Sequence, residues 1–194
     1  MNDVPAPLRD DLDPSAADGQ RVERVRAGDV AVFDAIVIEY RSTMIQLARS
    51  MVGTQDVAED LVQDVLSWVW EHRTIWNPRL SIRAYLLRAV RNQALNTLKH
   101  AAIEARHYGD VLHELEEEDS QAPDIALLQA DTSATLARAL LALPERRKLA
   151  IRLRYEQQLS HAEIGEVMGI SAKAAKELLL RTIESLRLRF IDRS

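Results

Sequence analysis

The stretch from Ser160 to Arg181 constrains the fold more tightly than any other part of the chain. With His161 as the first position, Gly165 falls at the fifth and Gly169 at the ninth, while apolar Ile164, Met168, Ile170, Ala175 and Leu178 fall at the fourth, eighth, tenth, fifteenth and eighteenth. This is the spacing of a helix-turn-helix. Two short helices that cross closely need a small residue at the crossing, and the tight turn between them needs a glycine for its positive φ. Ser160 and Glu163 have the spacing of a capping box at the start of the first helix, and Ser171 stands where it can cap the second. The outer side of that second helix then presents Ser171, Lys173, Lys176, Glu177 and Arg181. Such a mixture can reach base edges and phosphates in a DNA major groove.

The rest of the 194 residues is compatible with helix throughout. Long stretches of Ala, Leu, Arg and Glu, with only six glycines and six prolines, favour helix over strand because these side chains lose little rotamer freedom there. The expected fold class is all-α. It consists of two small helical domains joined by an acidic flexible linker, the C-terminal one being the helix-turn-helix. The absence of cysteine excludes disulfides, thiolate nucleophiles and cysteine zinc sites, and none of the five histidines has a paired-ligand spacing. No metal, cofactor or catalytic residue is expected. The first residues carry Asp3, Asp10, Asp11, Asp13 and Asp18 where a secretory signal would be basic, and no apolar run reaches membrane-spanning length. A cytoplasmic protein without membrane insertion is expected.

The net charge of −5 argues against a nucleic-acid partner until it is divided along the chain. Residues 1–20 hold one base against five acids, and residues 21–101 hold eleven against nine. Residues 102–135 hold one against nine, whereas residues 136–194 hold twelve against seven. Two basic blocks therefore flank an acidic one. From His72 to His100 there is no acid at all, yet Arg73, Arg79, Arg83, Arg88, Arg91 and Lys99 are present. A solvated helix face ordinarily mixes both signs, so this interval is a candidate phosphate-facing surface.

The boundaries follow from the same pattern. Residues 1–20, with Pro5, Pro7, Pro14 and the aspartates, form an expected disordered tail. In residues 21–101 apolar residues recur at helical spacing up to Gly53, a helix stop. A second helix follows, with Asp56 and Glu59 at capping-box spacing, and Asn77-Pro78 breaks the pattern after it. A third helix is expected from Ser81 to His100, with Ile82, Leu86, Ala89, Val90 and Gln93 on one side and Tyr85, Arg88, Asn92, Asn96 and Lys99 on the other. Residues 102–135 form the acidic linker, centred on the run from Glu114 to Asp119. Residues 136–194 form the second domain, with Leu136, Leu140, Leu141, Leu143, Leu149, Ile151 and Leu153 as core candidates.

The segment Ala58-Glu59-Asp60-Leu61-Val62-Gln63-Asp64-Val65-Leu66 resembles the polymerase-binding signature of the extracytoplasmic-function (ECF) group of bacterial sigma-70 factors. Further landmarks follow in the right order: Trp70-Glu71, the stretch Tyr85 to Asn92, Leu143-Pro144-Glu145-Arg146 and Glu163-Ile164-Gly165. The similarity runs from about residue 24 to 190. In that family Gly165 stands where alanine is common, and Tyr85 where tryptophan is frequent. The resemblance implies a sigma factor that carries core RNA polymerase to promoters. Asp60, Gln63 and Asp64 would meet the basic clamp helices of the beta-prime subunit. The loop from Trp76 to Ser81, with Asn77 and Arg79, and the face bearing Tyr85, Arg88, Asn92, Asn96 and Lys99 would engage the opened −10 element. Arginine and tyrosine can stack on unpaired bases while amides read their edges. The helix from Ser171 would read the −35 element in duplex DNA, and an anti-sigma factor is an expected partner.

Two other classes explain less of the chain. A helix-turn-helix regulator binding an operator accounts for residues 136–194 and leaves the Asp60 segment and the acid-free helix without a role. An all-helical enzyme would need a partner for Glu59, Asp60 and Asp64, and no histidine, serine or metal-ligand set accompanies them.

Overall fold

The computed structural model describes residues 15–108 and 138–191, and every regular element among them is helical. The first helix, α1 (Ser15–Arg26), starts inside the segment expected to be a tail. All three prolines of that segment precede it, and Val22 and Val25 are buried where it packs against the next helix and the turn at Arg73–Ile75. Ion pairs from Arg21 to Glu39 (2.7 Å) and from Arg24 to Asp29 (2.6 Å) hold α1 in place. Averaging composition over residues 1–20 hid this, because the apolar anchors lie just beyond residue 20.

Asp29 caps α2 (Val30–Val52), accepting from the Val32 amide at 3.2 Å, and Gly53 ends it in the left-handed region at φ 86° with its amide bonded to the Arg49 carbonyl. The helix buries Val32, Ile36, Met44, Leu47 and Ala48. The next helix, α3 (Gln55–Glu71), buries Ala58, Leu61, Val62, Val65 and Val69. Its start corrects the expected Asp56–Glu59 capping box. After Gly53 only Thr54 is extended, so Thr54 is the N-cap and Asp56 is already inside the first turn. There its charge favours the amide-rich end of the helix dipole. A 3-10 turn at Arg73–Ile75 leads to Trp76, which is buried.

The helix expected from Ser81 to His100 runs on as α4 (Ile82–Tyr108). Ala101, Ala102, Ile103, Glu104, Ala105 and Arg106 are mostly good helix formers and nothing interrupts them before Gly109, so helix occupies residues that the acid excess had assigned to the linker. The acidic run from Glu114 to Asp119, and Leu136, lie outside the described residues.

In the second unit, residues 138–141 are helical, α5 (Glu145–Ile151) follows Pro144, and a π-turn at Arg152–Glu156 leads to α6 (His161–Met168) and α7 (Ala172–Ile191). Leu143, Ala150, Leu153, Ile164, Val167, Ala175 and Leu179 are buried, whereas Leu141, expected in the core, is exposed. Both units share one apolar core: a single buried cluster holds Ala84 and Leu87 of α4 together with Leu153 and Ile164, and α4 packs against α6.

Candidate nucleic-acid interface

The helix-turn-helix forms as its spacing predicts. Ser160 Oγ accepts from the Glu163 amide at 3.2 Å, and Glu163 Oε2 accepts from the Ser160 amide at 2.9 Å, which closes the capping box. Gly169 adopts φ 68°, and a Cβ on Gly165 would lie 2.7 Å from the Ile170 carbonyl oxygen. Ser171 Oγ accepts from the Ala174 amide at 3.1 Å and so caps α7. Behind this helix Ala175, Leu179 and Thr182 are buried; in front, Ser171, Lys173, Lys176, Glu177 and Arg181 are all exposed. Among the described residues no carboxylate pairs with Lys173, Lys176 or Arg181, so their charge is available to a phosphate backbone.

The polar face of α4 forms a second surface. Positions 85, 88, 92, 96 and 99 fall on one side over about 21 Å at 1.5 Å per residue, and Arg88, Asn92, Asn96 and Lys99 are exposed. Tyr85 is half-buried, its ring set edge-on to Trp76 at 6.0 Å, and burial raises its phenol above the ordinary value, so it stays a neutral donor. In the loop before α4, Asn77 and Arg79 are exposed, but its two ends are not. Trp76 is 1% exposed and Ser81 4%, so the implied loop from Trp76 to Ser81 shrinks to a displayed segment of residues 77–80.

Part of the α4 face meets the second unit, which pattern reading did not reveal. Arg88 Nη1 lies 3.7 Å from Glu166 Oε1 on α6, and Arg83 Nη2 donates to Gln157 Oε1 at 2.8 Å. Ser81 Oγ donates to Glu163 Oε1 at 2.5 Å, so one carboxylate caps its own helix and bridges to a residue 82 positions away. No periodicity signals a pairing across that separation. Nearby, Arg91 and Arg146 approach each other, and burial together with this like charge lowers the Arg91 pKa.

A third surface is the crest of α3, where Asp60, Gln63 and Asp64 are exposed opposite buried Leu61, Val62 and Val65. Gln63 borders a groove toward α2 with Phe33, Arg41 and Trp70, and Asp64 borders one toward α4 with Trp68, Ala89 and Gln93. Trp68 is 45% exposed and stacks on His72 at 4.4 Å. The crest therefore offers acid flanked by aromatic surface. Among the described residues no group of three His, Asp or Glu side chains could hold a metal, and no helix is long and apolar enough to cross a membrane.

Residues 36–102 match the family model described as Sigma-70 region 2, and residues 133–186 match Sigma-70, region 4, together well over half of the chain. The chain belongs to the sigma-70 family. Its relatives place this sigma factor in the ECF group. The chain is 26% identical over 180 residues to the ECF RNA polymerase sigma factor SigW of Bacillus subtilis, covering 89% of this chain and 96% of the relative. It is also 26% identical over 177 residues to the ECF RNA polymerase sigma-E factor of Escherichia coli K12, covering 85% and 90%. The same fold is seen in CnrH in complex with the cytosolic domain of CnrY, with TM-score 0.59, 20% identity and coverage of 92% and 99%. It is seen too in the sigma factor RpoE of Bartonella quintana in complex with the anti-sigma factor NepR, with TM-score 0.58, 22% identity and coverage of 81% and 96%. Region 2 of this sigma factor thus spans most of α2 to α4 and region 4 the helix-turn-helix, while α1 precedes the region 2 match. As a sigma factor it directs promoter-specific transcription, and the operator-binding reading is not favoured.

Proposed function

We propose that this sigma factor divides its work among the three surfaces. The α3 crest, with Asp60, Gln63 and Asp64, docks on the basic clamp helices of the polymerase beta-prime subunit. The displayed loop with Asn77 and Arg79, and the α4 face with Tyr85, Arg88, Asn92, Asn96 and Lys99, hold the opened −10 strand. Ser171, Lys173, Lys176, Glu177 and Arg181 on α7 read the −35 duplex. The observation that carries this reading is the order of the two sigma-70 regions on one chain, each presenting an exposed surface of the required chemistry. The chain has no catalytic step of its own and acts in the cytoplasm, where polymerase and chromosome meet. Two relatives of known structure were captured with CnrY and with the anti-sigma factor NepR, which supports an anti-sigma partner here as well.

The packing of α4 on α6 gives a mechanism. While Glu166 sits beside Arg88 and Glu163 holds Ser81, the −10 face is partly covered by the −35 domain. Polymerase binding separates the two units and frees Arg88. The experiment mixes the chain with bacterial core polymerase and follows co-elution, comparing wild type with Asp60→Arg plus Gln63→Ala. Association lost in the double variant, with its helicity intact, is the expected result. A folded wild type that does not co-elute with core polymerase would refute the reading.

A further inference from the structure

The loop of residues 77–80 is pinned at both ends by a helix that lies outside the region 2 match. At its start, Arg26 Nε of α1 donates to the Trp76 carbonyl oxygen at 2.8 Å. At its end, the Ile82 amide donates to Asp18 Oδ2 of α1 at 2.7 Å. These contacts cross 50 and 64 positions of sequence, yet they leave the same helix two turns apart and fall on Trp76, where the loop leaves the core, and on Ile82, one residue after it re-enters at Ser81. The anchored ends are buried: Trp76 is 1% exposed, Ser81 4% and Ile82 0%, while Asn77, Arg79 and Leu80 between them are open to solvent.

Both pins are built as fixed points. Asp18 takes one of the amides at the start of α4 that has no partner within the helix, and Ser81 Oγ takes another, from Ala84 at 3.1 Å. The Asp18 side chain is 13% exposed and has Arg21 3.8 Å away. Arg26 is braced by Glu23 at 2.7 Å, which aims its Nε at the carbonyl. The helix that carries both is itself immobilised, by buried Val22 and Val25 and by the Arg21–Glu39 pair.

We propose that α1 is the positioning element of the promoter-reading loop, with Asp18 and Arg26 as the positioning residues that set the span and register at which Asn77 and Arg79 meet an unpaired base. This rests on the assignment of the loop to the −10 strand. The physical reason is ordering: a short loop held at both ends has little conformational freedom left to lose when a base arrives, whereas a loop held only by its own residues loses it on binding and reads several registers.

The test uses holoenzyme assembled from core polymerase and the full chain, with a pool of single-stranded DNA randomised over a short window as probe. Asp18→Ala plus Arg26→Ala is expected to bind core polymerase as wild type does. It should lose about tenfold in affinity for the sequences that wild type selects, the scale of a lost hydrogen bond to a charged group, and its own selection should flatten. Asp18→Asn, whose amide oxygen can still accept from Ile82, should select as wild type, whereas Asp18→Ala alone should not. That rescue separates a pinned loop from a merely destabilised domain. Equal behaviour of Asp18→Ala and Asp18→Asn, or loss of core binding in the double alanine variant, would overturn the proposal. Asn77→Ala plus Arg79→Ala is the reference arm. If it flattens selection while the α1 variants do not, the positioning role of α1 fails and the reading of the loop stands. If it selects as wild type, the loop assignment itself fails.

Discussion

Gly165→Ala tests whether the crossing in the helix-turn-helix is as tight as the structure shows. Inside a helix this substitution ordinarily stabilises by roughly 0.5–1 kcal/mol, because alanine loses less backbone freedom than glycine. At Gly165 the added Cβ would stand 2.7 Å from the Ile170 carbonyl oxygen, 3.1 Å from the Ala172 nitrogen and 3.1 Å from the Ser171 carbonyl carbon. All three are backbone atoms of the turn, so no flexible side chain can move aside. Relief requires α7 to shift away from α6, and overpacking of this kind costs about 1–3 kcal/mol. The net expectation is a loss of about 1–2 kcal/mol. Gly19→Ala on α1 is the matched control, since nothing lies within 4 Å of its added Cβ and the ordinary gain should appear. Urea denaturation followed by helical circular dichroism reads both. Because the shift falls at the start of α7, duplex −35 binding by the holoenzyme should drop as well. A Gly165→Ala protein as stable as wild type, with unchanged duplex affinity, would refute the argument that this crossing excludes a methyl group.

Other substitutions probe the remaining surfaces. Lys173→Ala and Lys176→Ala should each weaken duplex binding by the holoenzyme and lower the steepness of its salt dependence by about one; an unchanged slope in titrations at several salt concentrations would remove that lysine from the interface. Glu166→Arg replaces the pairing of half-exposed Arg88 with the 8% exposed Glu166 carboxylate by like-charge repulsion. Free protein should then bind single-stranded DNA more tightly at low salt, by a few-fold, and no gain would discard the covered-face mechanism. For Asp18, burial raises the folded carboxyl above its ordinary 3.8, so the folded state holds the extra proton and stability declines as pH rises from 3.8 through the folded value. Asp18→Asn removes that decline, so denaturation should show the variant gaining on wild type between acidic and neutral pH; parallel stability profiles would contradict the assignment.

What could be read from the sequence was what neighbouring residues decide. The turn at Gly169, the Ser160–Glu163 box, the cap at Ser171 and the outward basic face of α7 all rest on backbone geometry and helical period within a few residues, so their spacing already carried them. The stop at Gly53 is of the same kind. Local signals also failed where two were in competition: Asp56 offered a cap two residues too late, and acid content hid the helix-forming run beyond Ala101. Tertiary structure alone decided the rest. That α1 is a helix with Asp18 and Arg26 at the two ends of the loop, that the Trp76 carbonyl is held by Arg26, and that Glu163 and Glu166 reach Ser81 and Arg88 are all contacts between residues dozens of positions apart. A hydrogen bond of that span depends on how apolar faces bring whole helices together, and the period of a single helix holds no information about its partner.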